Sequence, residues 1–446
     1  MDLSRSPLLT DLYQLNMIQA YLEHGKTETA VFEFFFRKLP PSRNFLMAAG
    51  LEQALDFLET LTFPEEDIDW LRRSGRFSAS LISTLQDLRF TGDVYALPEG
   101  TIFFPNEPIL RVVAPLPEAQ LVETRLINIL HFQTLIASKA ARHVLLAPGK
   151  RLVDFGLRRA HGAEAGLFAA RASYIAGYAG TATMSAGQYY GIPLYGTMAH
   201  SFIQAFDDES AAFEAFAESR PNDLVFLIDT YDTEAAARKV VALAPMLAAR
   251  GIKVSGVRLD SGDLVSLSKS VRRILDEGGL QNVTIFASGG IDEEELKEFR
   301  RAEAPIDGYG IGTSLTTSID NPALDCAYKL QEYAGTGRRK RSAGKATWPG
   351  RKQVWRRYGT DGRMTGDVLT IESDQQAGEP LIELVMKNGQ RIAPSPTLDE
   401  IRKRAADNLA RLPVGLQRLD KVEYSVEIGA ALLRFTEEVD RHLESL

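Results

Sequence analysis

Short apolar runs recur through the middle of the chain, and each ends in acidic or glycine-rich residues. Amphipathic helical patterns lie between the runs, among them Glu234–Ala249, with Thr233 as its cap, and Asp263–Glu277. This alternation predicts parallel strands joined by helices, with six or seven strands up to about Ile311, fewer than the eight of a closed barrel. The runs and their tails are Leu224–Ile228 with Asp229-Thr230, Val254–Leu259 with Asp260-Ser261-Gly262-Asp263, Val283–Ala287 with Ser288-Gly289-Gly290, and Tyr309–Ile311 with Gly312-Thr313-Ser314.

Mixed helical and extended patterns flank this region on both sides. Near the N-terminus, Thr10 and Asp11 can cap a helix, Ala30–Phe36 is strand-like and Gly50–Leu61 is amphipathic. The strands and helices predicted after the middle region are Gln353–Tyr358, Asp367–Ile371, Pro380–Met386, Asp399–Leu412 and Val426–Leu446.

The domain organisation follows from these patterns. We predict an N-terminal α+β domain over residues 1–117 and a connecting helix within 118–150. An α/β barrel follows over 151–325. A C-terminal α+β segment over 326–446 is expected to pack back on the N-terminal domain.

Charge and cysteine content narrow the classes of function. The 446 residues include 51 basic and 59 acidic side chains, a formal net charge of -8. An acidic chain is a poor candidate for wrapping nucleic acid, so an anionic substrate must be met by local cations. The single cysteine is Cys326, Met1–Thr10 lacks a signal-peptide core, and no apolar run approaches the ~20 residues of a membrane span. We therefore expect a soluble, cytoplasmic protein without nucleic-acid or membrane partners.

Two glycine-rich turns follow successive late strands. Gly289 and Gly290 precede one predicted helix, and Gly312 and Thr313 begin another. Glycines in such turns let backbone N–H groups point at an anion, and a helix N-terminus adds a favourable dipole. Ordinary strand-to-helix turns are the alternative, but two turns on neighbouring late strands favour a phosphate site.

Charged side chains also follow the strand ends. Asp229, Asp260 and Asp263 could hold ribose hydroxyls or magnesium, or stabilise a cationic sugar transition state. Helix capping is the alternative and is expected for Asp263, which leaves Asp260 as the better functional candidate. Arg258 lies within an apolar strand, where its guanidinium can bind a carboxylate or phosphate. For Arg158, a solvated helix start is an equally good interpretation.

His200 lies in the segment Gly196–Ser201, after the apolar stretch Ile192–Gly196. It has no partner at metal-ligand spacing, and no serine or cysteine nucleophile motif accompanies it. A neutral imidazole, with an unperturbed pKa near ~6.5, can itself be a nucleophile. Thr197 and Ser201 could orient the ring.

The chain resembles the nicotinate phosphoribosyltransferase family over nearly its whole length. The segments that carry the resemblance are Thr10-Asp11-Leu12-Tyr13-Gln14, Phe34-Phe35-Phe36-Arg37-Lys38, Asp154-Phe155-Gly156-Leu157-Arg158-Arg159-Ala160, Gly196–Ser201, Arg258–Asp263 and Gly344–Gln353. The resemblance implies an incomplete α/β barrel of the type II phosphoribosyltransferase kind, with an open-faced α+β sandwich built from both chain ends.

The resemblance also implies a reaction and a set of residues. Nicotinate and phosphoribosyl pyrophosphate would give nicotinate mononucleotide and pyrophosphate, with magnesium present and ATP hydrolysis coupled through a phosphohistidine. A homodimer with shared active sites is implied as well, in which Tyr13 reaches the partner's site. His200 would be phosphorylated, and Asp260 would be catalytic. The substrate-binding positions would be Tyr13, Phe155, Arg158, Thr197, Arg258, Gly289, Gly290, Gly312 and Thr313, with Asp229 and Asp263 as candidates at magnesium.

Several alternatives remain open at this point. Ala182 and Thr183 stand where relatives often carry other polar residues, so a ligand contact from them is not expected. Other candidates are a phosphoribosyltransferase for nicotinamide or quinolinate, a phosphate-binding barrel isomerase or aldolase, and a sugar-phosphate sensor. The isomerase or aldolase would need a catalytic lysine on a strand or an acid–base carboxylate pair, and neither is clear in the sequence.

Overall fold

The computed structural model describes residues 6–342 and 344–445. The first five residues lie outside this range and are part of the segment predicted to lack a signal peptide. Leu446, the predicted end of the last helix, lies outside it as well. The chain forms two compact units. The terminal unit comprises Met1–Ser138 and Asn321–Leu446, and the half-barrel unit comprises Lys139–Asp320.

The elements follow one another in three stretches. The first contains α1 (Leu12–Glu23), β1 (Thr29–Phe36), β2 (Leu46–Met47), α2 (Leu51–Glu59), α3 (Glu65–Ser74), α4 (Ala79–Asp87), β3 (Asp93–Ala96), β4 (Ile102–Phe103), β5 (Pro108–Pro115), α5 (Leu116–Leu121) and α6 (Glu123–Leu146), within which the unit boundary falls. The second contains β6 (Arg151–Asp154), a 3-10 turn (Leu157–Arg159), α7 (Ala163–Ala176), β7 (Gly180–Thr181), α8 (Met184–Tyr190), α9 (His200–Gln204), α10 (Glu209–Ser219), β8 (Leu224–Leu227), α11 (Thr233–Ala249), β9 (Val254–Leu259), α12 (Leu264–Glu277), β10 (Thr284–Ser288), α13 (Glu293–Arg301), β11 (Gly308–Ile311) and α14 (Thr313–Thr316). The third contains β12 (Cys326–Tyr333), β13 (Thr336–Gly337), β14 (Lys352–Tyr358), β15 (Met364–Ile371), β16 (Glu379–Pro380), β17 (Glu383–Lys387), β18 (Gln390–Arg391), α15 (Leu398–Arg411), a 3-10 turn (Val414–Gln417), β19 (Val426–Ile428) and α16 (Ala430–Glu444).

The terminal unit is built on a sheet that uses strands from both chain ends. Its order is β13-β12-β1-β5-β3-β17-β18, and β1 pairs antiparallel with both β12 and β5. Every residue of β1 after Thr29 is buried, which explains its aromatic-rich, continuous apolar sequence. A second sheet, β16-β14-β15-β19, completes the C-terminal part of this unit.

The half-barrel unit contains a six-stranded parallel sheet in the order β7-β6-β11-β10-β9-β8. This curled, incomplete barrel confirms the predicted fold class. The inner strands are largely buried, as helices cover a parallel sheet, and β11 is buried at all of its residues. Because the strands are parallel and adjacent, the loops after β6, β9, β10 and β11 emerge at the same edge.

Several local predictions were wrong. The cap of α11 is Asp232, whose side chain accepts a hydrogen bond from the Ala235 N–H, and Thr233 is already helical. Asp11 occupies the N-cap position of α1, as predicted, but its side chain makes no capping hydrogen bond and its carboxylate accepts from Thr124 Oγ1. The apolar stretch Ile192–Gly196 before His200 forms no strand in the part of the chain that the structure describes. Only Leu194 pairs, in an isolated bridge with Thr181.

Two other segments are divided. The region predicted to contain one connecting helix holds α5 and α6, and the C-terminal segment predicted as one helix holds β19 followed by α16. Within the described residues, no helix is both long and apolar enough to cross a membrane.

A buried ion pair joins the two larger sheets of the terminal unit. Glu33 on β1 and Lys352 on β14 are 0% and 3% exposed, with Oε2 and Nζ 2.7 Å apart. Glu33 Oε1 also accepts from the Lys352 backbone N–H at 3.0 Å. Burial lowers the pKa of Lys352, although the charge of Glu33 opposes that shift. Glu33 therefore compensates a lysine charge that burial alone would disfavour.

Replacing one partner of this pair is expected to destabilise the protein. Glu33→Ala should lower the free energy of unfolding by about 3–5 kcal/mol, because Lys352 is left as an uncompensated buried charge. Glu33→Ala with Lys352→Met should recover part of that loss. Urea unfolding followed by circular dichroism measures both changes, and a single variant as stable as the wild type would contradict this interpretation.

Candidate active site

Loops after four neighbouring strands of the half-barrel unit surround one cavity of about 210 Å³. The loops follow β6, β9, β10 and β11, which are consecutive in the sheet. The lining residues are Phe155, Arg158, Arg159, Asp260, Ser288, Gly289, Gly290, Gly310, Gly312 and Thr313. Three of the four strand ends that the sequence suggested, those after β9, β10 and β11, therefore line one cavity, and the fourth, Asp229-Thr230 after β8, is not among the lining residues.

Two of the glycines in this cavity, Gly289 and Gly310, are required by close packing. Gly289 has φ +98°, and a Cβ there would lie 2.0 Å from the carbonyl oxygen of Asp260. At Gly310, a Cβ would lie 2.4 Å from the ring of Phe155. The Ser288 hydroxyl donates to the Asp260 carboxylate. The loop after β10 is thus packed directly against the loop after β9.

Arg258 links a second set of predicted residues. Its NH1 donates to Thr197 Oγ1 at 2.6 Å and to the Met198 carbonyl at 3.3 Å, and its NH2 lies 3.7 Å from Asp260 Oδ1. Its guanidinium carbon lies 5.9 Å from the centre of the Phe155 ring. Burial lowers the pKa of Arg258, but an arginine pKa starts so high that the group stays charged. The structure therefore brings a fixed cation, a hydroxyl and an aromatic ring together.

His200 begins α9 and faces the same carboxylate. Its Nε2 lies 3.7 Å from Asp260 Oδ2, and its Nδ1 lies 3.1 Å from Thr230 Oγ1. Its side chain is 37% exposed, so the ring is reachable from solvent. Thr230 holds the ring, in place of the Thr197 and Ser201 that the sequence suggested, because the Thr197 hydroxyl is engaged by Arg258.

The other two carboxylates have different environments. Asp229 Oδ2 accepts from the Asp260 N–H at 2.9 Å and from Ser261 Oγ at 2.6 Å, while its Oδ1 is buried without a hydrogen-bond partner. Asp263 caps α12, and hydrogen bonds from Ser266 lower its pKa. Among residues 6–342 and 344–445, no cluster of three or more histidine, cysteine, aspartate or glutamate side chains has metal-binding geometry. Asp229 Oδ1 is the oxygen here that suits a cation.

Three other positions that the sequence singled out do not line this cavity. Tyr13 is on α1 of the terminal unit and is 46% exposed. Ala182 is exposed and Thr183 is buried after β7, and neither is among the lining residues. The contribution of Tyr13 to ligand binding stays a prediction, as does the absence of a ligand contact from Ala182 and Thr183.

Asp154 is a residue to which sequence reasoning gave no role. It ends β6 and is 1% exposed. Its Oδ1 accepts from the Gly156 N–H at 2.8 Å, and its Oδ2 accepts from Thr181 Oγ1 at 2.7 Å. Burial raises the pKa of Asp154 to about 6, although both hydrogen bonds oppose the shift. The only sequence signal was an acid at the end of an apolar run, directly before Phe155.

Substitution of Gly289 is expected to be more costly than substitution of a glycine that only needs positive φ. Gly279 has φ +76° and nothing within 4 Å of the point that a Cβ would occupy, so Gly279→Ala should cost about 1–2 kcal/mol of stability. Gly289→Ala should cost about 1–3 kcal/mol more, because the Asp260 carbonyl must move. Equal losses in urea unfolding would show that the close approach to Asp260 is unimportant.

Asp154→Asn should change how stability depends on pH. The pKa of Asp154 rises from an ordinary 3.8 to about 6, so folding favours the protonated acid. That contribution is fully present below the unfolded pKa and is lost as the pH rises through the folded pKa. The wild type should therefore lose about 3 kcal/mol relative to Asp154→Asn from about pH 4 to about pH 7. Urea unfolding across this range tests the expectation, which a pH-independent difference would contradict.

Comparison with known proteins identifies the family. Residues 8–131 match the model described as the nicotinate phosphoribosyltransferase N-terminal domain, 150–345 match the nicotinate phosphoribosyltransferase family, and 374–436 match its C-terminal domain. The nicotinate phosphoribosyltransferase pncB2 of Mycobacterium tuberculosis is 50% identical over 425 residues, covering 95% of this chain and 91% of the relative. The Bacillus subtilis enzyme is 37% identical, covering 95% and 92%.

A solved structure supports the same assignment. The crystal structure of human nicotinic acid phosphoribosyltransferase superimposes with a TM-score of 0.86 at 30% identity, covering 97% of this chain and 99% of that one. The similarity therefore extends over both units. The chain belongs to the nicotinate phosphoribosyltransferase family, whose function lies in NAD salvage.

Proposed function

We propose that the half-barrel cavity transfers a phosphoribosyl group to nicotinate and that ATP hydrolysis is coupled to the transfer through phosphorylation of His200. The products would be nicotinate mononucleotide and pyrophosphate. The observation that carries the proposal is the 3.7 Å approach of His200 Nε2 to Asp260, which lines the cavity together with both glycine loops. A phosphoryl acceptor thus lies beside the carboxylate that faces the sugar site.

Nicotinate would bind between Arg258 and Phe155. The guanidinium of Arg258 is held by Thr197 and by Asp260, so it is oriented before a ligand arrives. It would pair with the substrate carboxylate while Phe155 packs on the pyridine ring. Neutral nicotinamide would leave this partly buried cation less well paired, which favours nicotinate. Tyr13 would stack on the ring from a second copy of the chain in a shared site.

The sugar would bind along the glycine loops. Backbone N–H groups at Gly289, Gly290, Gly312 and Thr313 would bind the 5′-phosphate, and Arg158 would bind near the pyridine and the phosphates. Asp229, with Asp263 as the second candidate, would hold a magnesium ion, which when bound supplies positive charge for the departing pyrophosphate.

Transfer would break the bond between C1′ and the pyrophosphate oxygen, whose electron pair leaves with the pyrophosphate. The pyridine nitrogen would supply the pair for the new bond to C1′. The ribose carries positive charge between these events, and the negative charge of Asp260 would stabilise it. Because Arg258 also contacts Asp260, one carboxylate would connect nicotinate recognition to the reacting carbon.

Phosphorylation would occur on the ring of His200. In the tautomer whose Nδ1–H donates to Thr230, the lone pair lies on Nε2 and can attack the γ-phosphorus of ATP while ADP leaves. The added charge would lie beside Asp260 and the cavity, where it can change sugar-pyrophosphate binding through electrostatics.

We propose a cytoplasmic homodimer with shared active sites and without nucleic-acid or membrane partners. The net charge of -8 and the exposure of Tyr13 support the proposal.

Product analysis with His200→Ala tests the coupling. The wild type, given nicotinate, phosphoribosyl pyrophosphate and magnesium, should form nicotinate mononucleotide faster when ATP is added. His200→Ala should keep the ATP-independent rate within about threefold and lose the stimulation, because the phosphoryl acceptor is gone. Separation of nucleotides by chromatography measures both rates, and γ-labelled ATP measures phosphate transfer to the protein.

His442→Ala is the matched control, since His442 is exposed on α16 of the terminal unit. It should retain both the stimulation and the labelling. Full ATP stimulation in His200→Ala would remove His200 from the coupling role. Failure of the wild type to form the mononucleotide from nicotinate would overturn the transfer reaction itself.

A further inference from the structure

A buried group of charges within the half-barrel unit lies outside the cavity. Lys139 on α6 is 0% exposed, and its Nζ lies 2.5 Å from Glu293 Oε2 and 2.8 Å from Asp320 Oδ1. Arg142, one turn further along α6, lies 3.1 Å from each of the same two carboxylates. We call these four residues the α6 clamp: Lys139, Arg142, Glu293 and Asp320.

Both carboxylates of the clamp lie close in sequence to the glycine loops. Glu293 is the first residue of α13, three positions after Gly290. Asp320 follows α14, the short helix that begins at Thr313 directly after Gly312. The α6 clamp therefore fixes the helix after each glycine loop to the same two cations.

A direct bond also joins the two loops. Ser314 Oγ, next to Thr313, donates to the carbonyl of Ile291, next to Gly290, at 2.5 Å. The two loops are thus joined directly by this hydrogen bond and indirectly through the ion pairs of the α6 clamp. A shift of either helix would move the glycine loops that line the cavity.

The charges of the clamp are closely matched. Two cations face two carboxylates, and Glu293 is only 6% exposed. Burial of Glu293 favours the neutral acid, but the hydrogen bond with His143 and the charges around it, including Lys139 and Arg142, hold its pKa below the ordinary value. Burial lowers the pKa of His143, although the hydrogen bond and charge of Glu293 oppose that shift. Loss of one cation would leave buried negative charge and favour movement of α13.

We propose that Lys139 is a positioning residue for the phosphate loops, acting through Glu293 and Asp320 without touching the substrate. The inference rests on the proposed function in one respect, that the loops at Gly289-Gly290 and Gly312-Thr313 bind the 5′-phosphate. Lys139 sets the relative position of the two loops, and the loops set the affinity for the sugar phosphate. Its contribution is therefore to binding of phosphoribosyl pyrophosphate and not of nicotinate.

Lys139→Met tests this role, because methionine keeps most of the side-chain volume and removes the charge. It should raise the KM for phosphoribosyl pyrophosphate and the Kd for ribose 5-phosphate by about tenfold or more, since small misplacements of binding groups are costly. The KM for nicotinate should stay within about twofold of the wild-type value. Steady-state kinetics and calorimetric titration with ribose 5-phosphate supply these readouts.

Two further variants keep the test decisive. Lys239→Met removes a lysine–glutamate pair elsewhere in the half-barrel unit, in which Lys239 Nζ lies 3.0 Å from Glu209 in the first turn of α10. This variant should leave both affinities unchanged. Asp320→Asn is milder, because that side chain is 27% exposed, and should give the same selective loss of affinity at smaller amplitude. It replaces Lys139→Met in the test if that variant fails to fold.

The outcomes separate the two proposals. Wild-type affinity for ribose 5-phosphate in Lys139→Met, or in Asp320→Asn should Lys139→Met not fold, would overturn the positioning role. A parallel rise in the KM for nicotinate, which general destabilisation would produce, would overturn it as well. If the wild type itself does not bind ribose 5-phosphate, the phosphate loops of the proposed function fail and the positioning role fails with them.

Discussion

The contact of Gly289 with the carbonyl of Asp260 is the constraint on which the cavity depends. It requires glycine at 289 and brings the loop after β10 onto the loop after β9. The Asp260 carboxylate is thereby fixed next to Ser288, with His200 and Arg258 on its other sides. The carboxylate at the cavity thus lies between a cation and an imidazole.

Much of the half-barrel could be predicted from the sequence because its signals are local. Buried parallel strands give continuous apolar runs, and three of the four runs here are followed by residues that line the cavity, as at Asp260 and Gly312. Arg258 was recognisable because a cation inside an apolar strand requires a partner. The aromatic strand β1 was likewise readable from its composition alone.

Other features depend on contacts between residues that are distant in sequence. Lys139 is separated by 154 positions from Glu293 and by 181 from Asp320, so no local pattern reveals their pairing. Thr230 orients His200 across 30 positions, whereas the sequence suggested nearer hydroxyls. The cap of α11 was misplaced by one residue because aspartate and threonine both favour that position, and only the fold selects Asp232.

The half-barrel also shows two ways of holding a binding loop. Asp154 holds the Phe155 loop through hydrogen bonds to Gly156 and Thr181, and the α6 clamp holds the glycine loops through buried charge. The measurement that tests the central claim most directly is a crystal structure with nicotinate and phosphoribosyl pyrophosphate bound. The 5′-phosphate should lie against the N–H groups of Gly289-Gly290 and Gly312-Thr313, with the nicotinate carboxylate on Arg258. A phosphate bound elsewhere, with these loops empty, would contradict the claim.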